Sequence, residues 1–308
     1  MPRAAPRALS LAVKLLVSSL LVVIIAWKVG PAALMAAFRR LDTSVLALAL
    51  VLTVGFVLGR AAKWLLLART AVPSLSYRDS VLSLLGGMGL GMITPGRAGE
   101  FTRVAFMPEG DRLTLVGLFA VDRVMDLQTI VLFGTVALPL LGYTGYFVIA
   151  LLGCLLSFAC LYAARPAKRV LTIIASRLPL QRYTLRMLAA LDGLGPGRLT
   201  ATLLASLGAT LVGYAQFYVL LRPYAQLPVA AVVLTFSIMI LSNLLPITIG
   251  GLGVREALSV LILRRYGVSD AVAVNAAFLS YLTNTVLPGV VGSFLIPRAR
   301  VATQAHAP

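Results

Sequence analysis

Histidine is almost missing from this sequence: His306, near the C-terminal end, is the only one. Cysteine is scarce too, with Cys154 and Cys160 six apart in one apolar run. On a helix these two face different sides and cannot easily bond to each other, so core packing is their expected role. Metal chemistry through His and Cys ligands is thereby excluded, and no metal or other cofactor is expected. Charge is short as well: Asp, Glu, Lys and Arg make up only 12% of the chain, and just ten residues are acidic. A soluble surface needs roughly twice that share, which excludes a soluble domain. No G-x-x-x-x-G-K-[ST] loop is present, so nothing points to ATP as the energy source. The ten-residue alternation of a membrane barrel is also missing.

What the chain has instead is length in hydrophobic runs. Of its 308 residues 60% are hydrophobic, and the mean hydropathy is +0.96. Apolar runs fall near 9–29, 44–68, 79–93, 113–141, 144–164, 199–222, 229–245 and 271–297. A run of about 18 or more residues crosses a hydrocarbon core, and in lipid it must be helical to satisfy its own backbone. The fold class is therefore all-α: a polytopic membrane bundle, with residues 1–300 as one integral domain and 301–308 as a tail. The net charge of +17 sits largely in loops and at helix ends. There it sets topology and meets an anionic membrane surface rather than nucleic acid. The charged N-terminus followed by the run at 9–29 has the order of a signal peptide, but its length and lack of a small-x-small site predict a retained first span.

Two runs break in the same manner. The run at 79–93 is too short to cross and stops at "PGRAGE", with tip residues Pro95, Gly96 and Gly99. The run at 229–245 passes into "PITIGGLGVRE", with Pro246, Gly250, Gly251 and Gly253. Each break lies between two long runs, giving half A (44–141) and half B (199–297). Interrupted segments at matching places in two halves point to a transporter site at the tips. A basic linker, 165–198, carries Arg165, Lys168, Arg169, Arg177, Arg182, Arg186 and Arg198 against Asp192, and is expected to be cytoplasmic. Its stretch "KRVLTIIASRL" fits either a helix lying on the inner leaflet or a solvated loop helix. Both termini are expected inside a cytoplasmic (inner) membrane. Six spans plus two re-entrant hairpins satisfy this and give the halves opposite orientation. Eight spans also keep both termini inside, and the pattern leaves the two models open.

The charges inside apolar runs carry the functional reading. An ionised residue at a helix centre costs roughly 2.5–3.5 kcal/mol, so Asp122, Arg123 and Asp126 facing lipid would cost on the order of 8–10 kcal/mol. They must face protein or water. Near them in the sequence pattern stand Arg60, Lys63, Arg97, Glu100, Arg103, Arg255 and Glu256. Six cations against four carboxylates leave a positive surplus of two, which a phosphate would neutralise; Arg matches phosphate geometry with two prongs. Backbone N–H groups at half-helix starts near Arg97 and Gly253 would add a second anion device. The alternative is that these charges only pair and hold the bundle together, with Arg60 and Lys63 reaching out to headgroups. Tyr214, Gln216, Tyr218, Tyr281, Thr283 and Asn284 either line the same cavity or bond helices to one another.

Four elements together resemble a known family: "GRAAKWLLL" (59–67), "PGRAGEFTR" (95–103), "DRVMD" (122–126) and "PITIGGLGVREA" (246–257). They resemble the transmembrane domain of lysylphosphatidylglycerol synthases and its standalone relatives, over about 40–297. The family usually carries Glu where this chain has Asp122. The resemblance implies a flippase for a phospholipid or a polyprenyl-phosphate-linked lipid. No aminoacyl-transferase domain is seen in the sequence, so no enzyme activity of that kind is expected. Two rivals remain beside transport. One is an intramembrane lipid-modifying enzyme using Glu100, Asp122 and Asp126 as acid and base. The other is a scaffold bound to envelope-synthesis enzymes, and a homo-oligomer is also open.

Overall fold

The computed structural model describes Val23, Trp27, residues 30–39, 41–94, 97–162, Thr172, Leu185, Met187, residues 190–244, Thr248 and residues 251–294. The run at 9–29 apart from Val23 and Trp27, the linker arginines other than Arg198, Pro95, Gly96, Pro246, Gly250 and the tail lie outside these residues. The described residues form helices and connecting turns, with no strand among them.

In order they are α1 (Pro31–Arg39), α2 (Thr43–Ala68), α3 (Tyr77–Ile93), a 3-10 helix (Ala98–Phe106), α4 (Arg112–Leu140) and α5 (Thr144–Tyr162). After the linker come α6 (Pro196–Leu221), α7 (Val229–Ser242), α8 (Val254–Leu263) and α9, which begins at Asp270. α9 passes through a π-helical turn at Leu282–Val286 and continues to Phe294. Local chemistry sets several starts. The Ser76 hydroxyl accepts from the Asp79 N–H at 3.1 Å, and the Asp111 carboxylate accepts from the Thr114 N–H at 2.9 Å. These are N-caps, and they satisfy backbone donors left free at a helix start. α2, α6 and α9 are each long and apolar enough to cross a membrane. α4, at 29 residues or about 43 Å, is long enough too, and carries the three charges.

Both broken segments are hairpins. α3 has 17 residues, about 25 Å, short of a core of about 30 Å. The 3-10 helix then runs back along it. A methyl on Gly99 would stand 2.2 Å from the Leu90 carbonyl, on Gly91 2.5 Å from Glu100 Cγ, and on Gly86 2.5 Å from Phe106. Positions thus rise on the returning arm as they fall on α3, and glycines on α3 make that approach possible. α7 and α8 have only 14 and 10 residues. After them, Asn275 donates to the Leu34 carbonyl of α1 at 2.7 Å, and Tyr224, in the loop before α7, donates to Ala37 of the same helix. The chain has therefore returned to the level at which α7 began. Each broken segment doubles back on itself, the geometry of a hairpin.

The halves pack as a two-fold pair. α2 lies along α6, α4 against α7, and α9 against α3, each contact having its counterpart in the other half. α2 and α6 are antiparallel: Gln216 donates to the Ala49 carbonyl at 2.9 Å, Gly59 faces Ala209, and Arg198 reaches Thr70 at 2.9 Å. In the last helices, Gly134 of α4 sits against Ser237 of α7, and Gly292 of α9 against Leu85 of α3. Counting back equally from these two glycines, Asp122, Arg123 and Asp126 correspond to Ser280, Tyr281 and Asn284. The fold repeats, while the intramembrane charge is gathered mainly in half A.

Candidate functional site

Three elements of half A bring the charges together. On α2, Arg60 and Lys63 are three apart and share a face. On the 3-10 helix, three residues make one turn, so Glu100 and Arg103 stack one above the other. On α4, Asp122 and Asp126 are one turn apart, with Arg123 beside them. Glu100 is the hub. Its carboxylate lies 3.2 Å from Arg123, 3.3 Å from Arg103, 3.4 Å from Arg60 and 3.6 Å from Arg97. Asp122 meets Lys63 at 2.8 Å, Arg123 at 2.8 Å and Arg103 at 3.3 Å. Asp126 pairs with Lys63, with Arg123 at 3.2 Å and with Arg60 at 4.0 Å, and it accepts from the Ser206 hydroxyl at 3.0 Å.

Aromatic faces cover much of this charge. The Arg103 guanidinium stands 4.3 Å from the centre of the Phe119 ring and 5.4 Å from Trp64; Arg123 is 5.0 Å from Phe119, and Arg60 5.5 Å from Phe56. Ring quadrupoles stabilise a desolvated guanidinium there by about 2 kcal/mol each.

The cluster has two layers. Lys63, Arg103 and Asp122 are sealed, with side chains no more than 1% exposed. Arg97, Arg123 and Asp126 keep 24%, 28% and 21% of theirs open. The open layer faces a cavity of about 290 Å³ at the centre of the bundle. Arg60, Glu100 and Arg255 also line it. Phe56, Phe101, Phe119, Ile130, Phe236 and Met239 form its apolar wall. The cavity is thus lined by charged and by apolar side chains together.

Arg97 is held in an unusual backbone state. It has φ 57° and ψ 27°, and no other described residue except glycine has positive φ. A side-chain-bearing residue adopts this left-handed conformation at a cost of order 1 kcal/mol or more. The turn aims Arg97 across the cavity, where its guanidinium bonds the Thr285 hydroxyl in the π-turn of α9. The tip of hairpin A is thereby fastened to half B.

Half B contributes Arg255, 4.4 Å above the Tyr281 ring, 3.4 Å from Glu256 and donating to the Ala277 carbonyl at 2.9 Å. Glu256 turns away from the cavity and accepts from the Gly253 N–H at 2.7 Å, closing the start of α8. Gly251 and Gly253 both have positive φ, which lets the tip turn there.

Two expectations are corrected here. The half-helix starts are not free anion sites: the Gly253 N–H is taken by Glu256, and the Gly99 N–H by the Thr94 hydroxyl at 2.6 Å. Arg60 and Lys63 do not reach out to headgroups either; both are buried and paired inward. Of the ten charged positions singled out in the sequence, Arg60, Arg97, Glu100, Arg123, Asp126 and Arg255 line the cavity. Lys63, Arg103, Asp122 and Glu256 stand behind them. Sequence reasoning missed Asn243, Thr285 and the aromatic wall. The polar run "TNT" at 283–285 was a usable signal; a phenylalanine in an apolar run is none. Gln216, Thr283 and Asn284 do bond helices together, and Asn284 lines the cavity as well.

Five cations, Arg60, Lys63, Arg97, Arg103 and Arg123, contact three carboxylates, Glu100, Asp122 and Asp126, while Arg255 and Glu256 form a separate pair, so the surplus of two positive charges remains. Buried charge without a partner costs several kcal/mol per ion. Among the described residues no three carboxylates, thiols or imidazoles are arranged as metal ligands.

No curated protein matches the chain. One family model does, that of the lysylphosphatidylglycerol synthase TM region, over residues 11–292. That span takes in both halves, both hairpins and every charged residue of the cluster, and the chain therefore belongs to this family of multi-pass, lipid-related membrane proteins.

Proposed function

We propose that the chain moves a phosphate-headgroup lipid, a phospholipid or a polyprenyl-phosphate-linked one, across the cytoplasmic membrane. The observation that carries this is the mixed lining of the cavity: guanidiniums in excess of carboxylates, beside aromatic and aliphatic side chains. An amphipathic anion complements both kinds of lining at once. Arg97 and Arg123, both partly open to the cavity, hold the phosphate. Glu100 and Asp126 orient those arginines, and the sealed layer of Lys63, Arg103 and Asp122 fixes the frame behind them. With no nucleotide-binding loop in the sequence, the lipid's own gradient or an ion gradient drives movement.

Both termini and the basic linker lie on the cytoplasmic side, where anionic lipid attracts them. The loop holding Arg264 and Arg265 then faces outward. An Arg265→Cys variant reacts with impermeant maleimide from outside; labelling only from the cytoplasmic face would overturn this orientation.

The functional test is reconstitution in liposomes with acyl-labelled phosphatidylglycerol. Wild type speeds transbilayer movement, and the Arg97→Ala/Arg123→Ala double variant loses about tenfold or more, the scale of a lost charge-assisted contact. Equal rates would remove these residues from the site. No movement by wild type would remove transport itself.

A further inference from the structure

Resting on the reading of the cavity as a phosphate-lipid site, we infer that the acyl tails of the bound phospholipid lie outside it and leave through a lateral mouth between Phe101 and Leu244. The first ground is size. A volume of about 290 Å³ stands at the bottom of the range for pockets that take drug-sized ligands, about 300–1,000 Å³. It holds a headgroup and has no room for two long chains.

The second ground is the mouth itself. Phe101 of the 3-10 helix and Leu244, just beyond α7, both line the cavity, yet they are 44% and 58% exposed. Large apolar side chains that are cavity wall and outer surface at once mark an opening. α4 packs against the 3-10 helix and against α7. Its lining residues Phe119, Arg123, Leu127 and Ile130 are three or four apart and share one face. Phe101 meets Phe119 edge to face at 4.7 Å, and Ile240, four residues before Leu244, also lines the cavity. An apolar track thus starts beside the Arg123 guanidinium and reaches the surface.

The third ground is depth. Leu127 lies about 22 Å along the roughly 43 Å of α4. Phe56 and Ala209, also in the cavity wall, lie about 20 Å along α2 and α6, each about 39 Å long. The mouth therefore opens at the middle of the spanning helices, where the surroundings are hydrocarbon. The hydrocarbon at hand there is the tails of diacyl phospholipids. The two-fold relation supplies a contrast. Seven residues back from Gly134 is Leu127, and seven back from Gly292 is Thr285. Arg97 of hairpin A bonds the Thr285 hydroxyl, so the matching place in half B is covered. Leu127 can form no such bond, and the cavity opens on its side.

The test is photolabelling of purified full-length protein in liposomes. Phosphatidylglycerol carrying a diazirine midway along one acyl chain is irradiated, and the adducts are located by peptide mass spectrometry. Leu152 of α5, 62% exposed, is the reference for ordinary lipid contact. Phosphatidylglycerol labels Phe101, Leu127 or Leu244 about tenfold more often than Leu152, the scale of a charge-assisted contact at the headgroup. Diacylglycerol with the same diazirine and no phosphate labels the two places equally. In Arg97→Ala/Arg123→Ala the excess at the mouth disappears while the Leu152 adduct stays. The comparison of the two lipids in wild type decides the matter even if this variant fails to fold. Equal labelling of the mouth by both lipids would overturn the inference, because the mouth would then be plain bilayer-facing surface. An excess seen only with a diazirine-bearing polyprenyl phosphate would overturn the assignment to acyl tails. An excess in a protein that moves no lipid would uphold the tail site and strike transport, whereas movement without the excess would strike the mouth alone.

Discussion

Glu100 holds four guanidiniums in a region shielded from water, and Asp122 holds two guanidiniums and an ammonium in the layer behind it. Removing one partner from such a set leaves the others buried and unpaired, which costs about 3–5 kcal/mol. Asp122→Asn keeps the shape and loses the charge, so it should lower stability by about that amount, read as a fall in melting temperature in mild detergent. Arg97→Gly behaves differently. The variant loses a partly open ion pair, worth about 1 kcal/mol or less, and relieves a left-handed backbone at a glycine, worth about as much in return. Its stability should stay within about 1 kcal/mol of wild type while transport is lost. A large destabilisation by Arg97→Gly, or none by Asp122→Asn, would contradict the two-layer description. At this scale the charged residues were legible, since each stands out in an apolar run. It did not give the direction of Arg60, because a residue near a helix end can turn outward or inward and only the neighbouring Glu100 decides it.

The hairpins belong to the scale of elements. Glycines at 86, 87 and 91 let the 3-10 helix come within van der Waals distance of α3 and set the height of Glu100. A Cβ on Gly91 would meet Glu100 Cγ at 2.5 Å, so Gly91→Ala must push the hub of the cluster aside. Overpacking of this sort costs typically 1–3 kcal/mol. Gly153 of α5 has nothing within 4 Å of a Cβ, and there alanine should be neutral or stabilising by up to about 1 kcal/mol. Parallel thermal melts of the two variants check this; an equally tolerated Gly91→Ala would deny the close approach. The breaks themselves were legible, because a run near 15 residues ends in Pro-Gly, but the pattern did not separate a hairpin from a full span. The 3-10 form of the returning arm was not legible. In an apolar run, a glycine stripe that receives a neighbouring chain reads the same as one that faces lipid.

Across the whole molecule, two halves share one packing scheme and divide the chemistry. Equal steps back from Gly134 and Gly292 lead to Asp122, Arg123 and Asp126 in one half and to Ser280, Tyr281 and Asn284 in the other. The repeat was visible in the placement of the broken runs, and the family in four short motifs. The uneven charge could be counted in the sequence. Its meeting in one cavity with an aromatic wall could not be read there, since that depends on how α2, α4, α7 and α9 pack across the two-fold relation. The central claim is that this cavity holds a phosphorylated lipid. Native mass spectrometry of the protein released from mild detergent micelles tests it most directly. The account predicts one retained phosphate lipid per chain in wild type, and loss of that adduct in Arg97→Ala/Arg123→Ala. Wild type free of bound lipid, or the same adduct kept by both proteins, would contradict it.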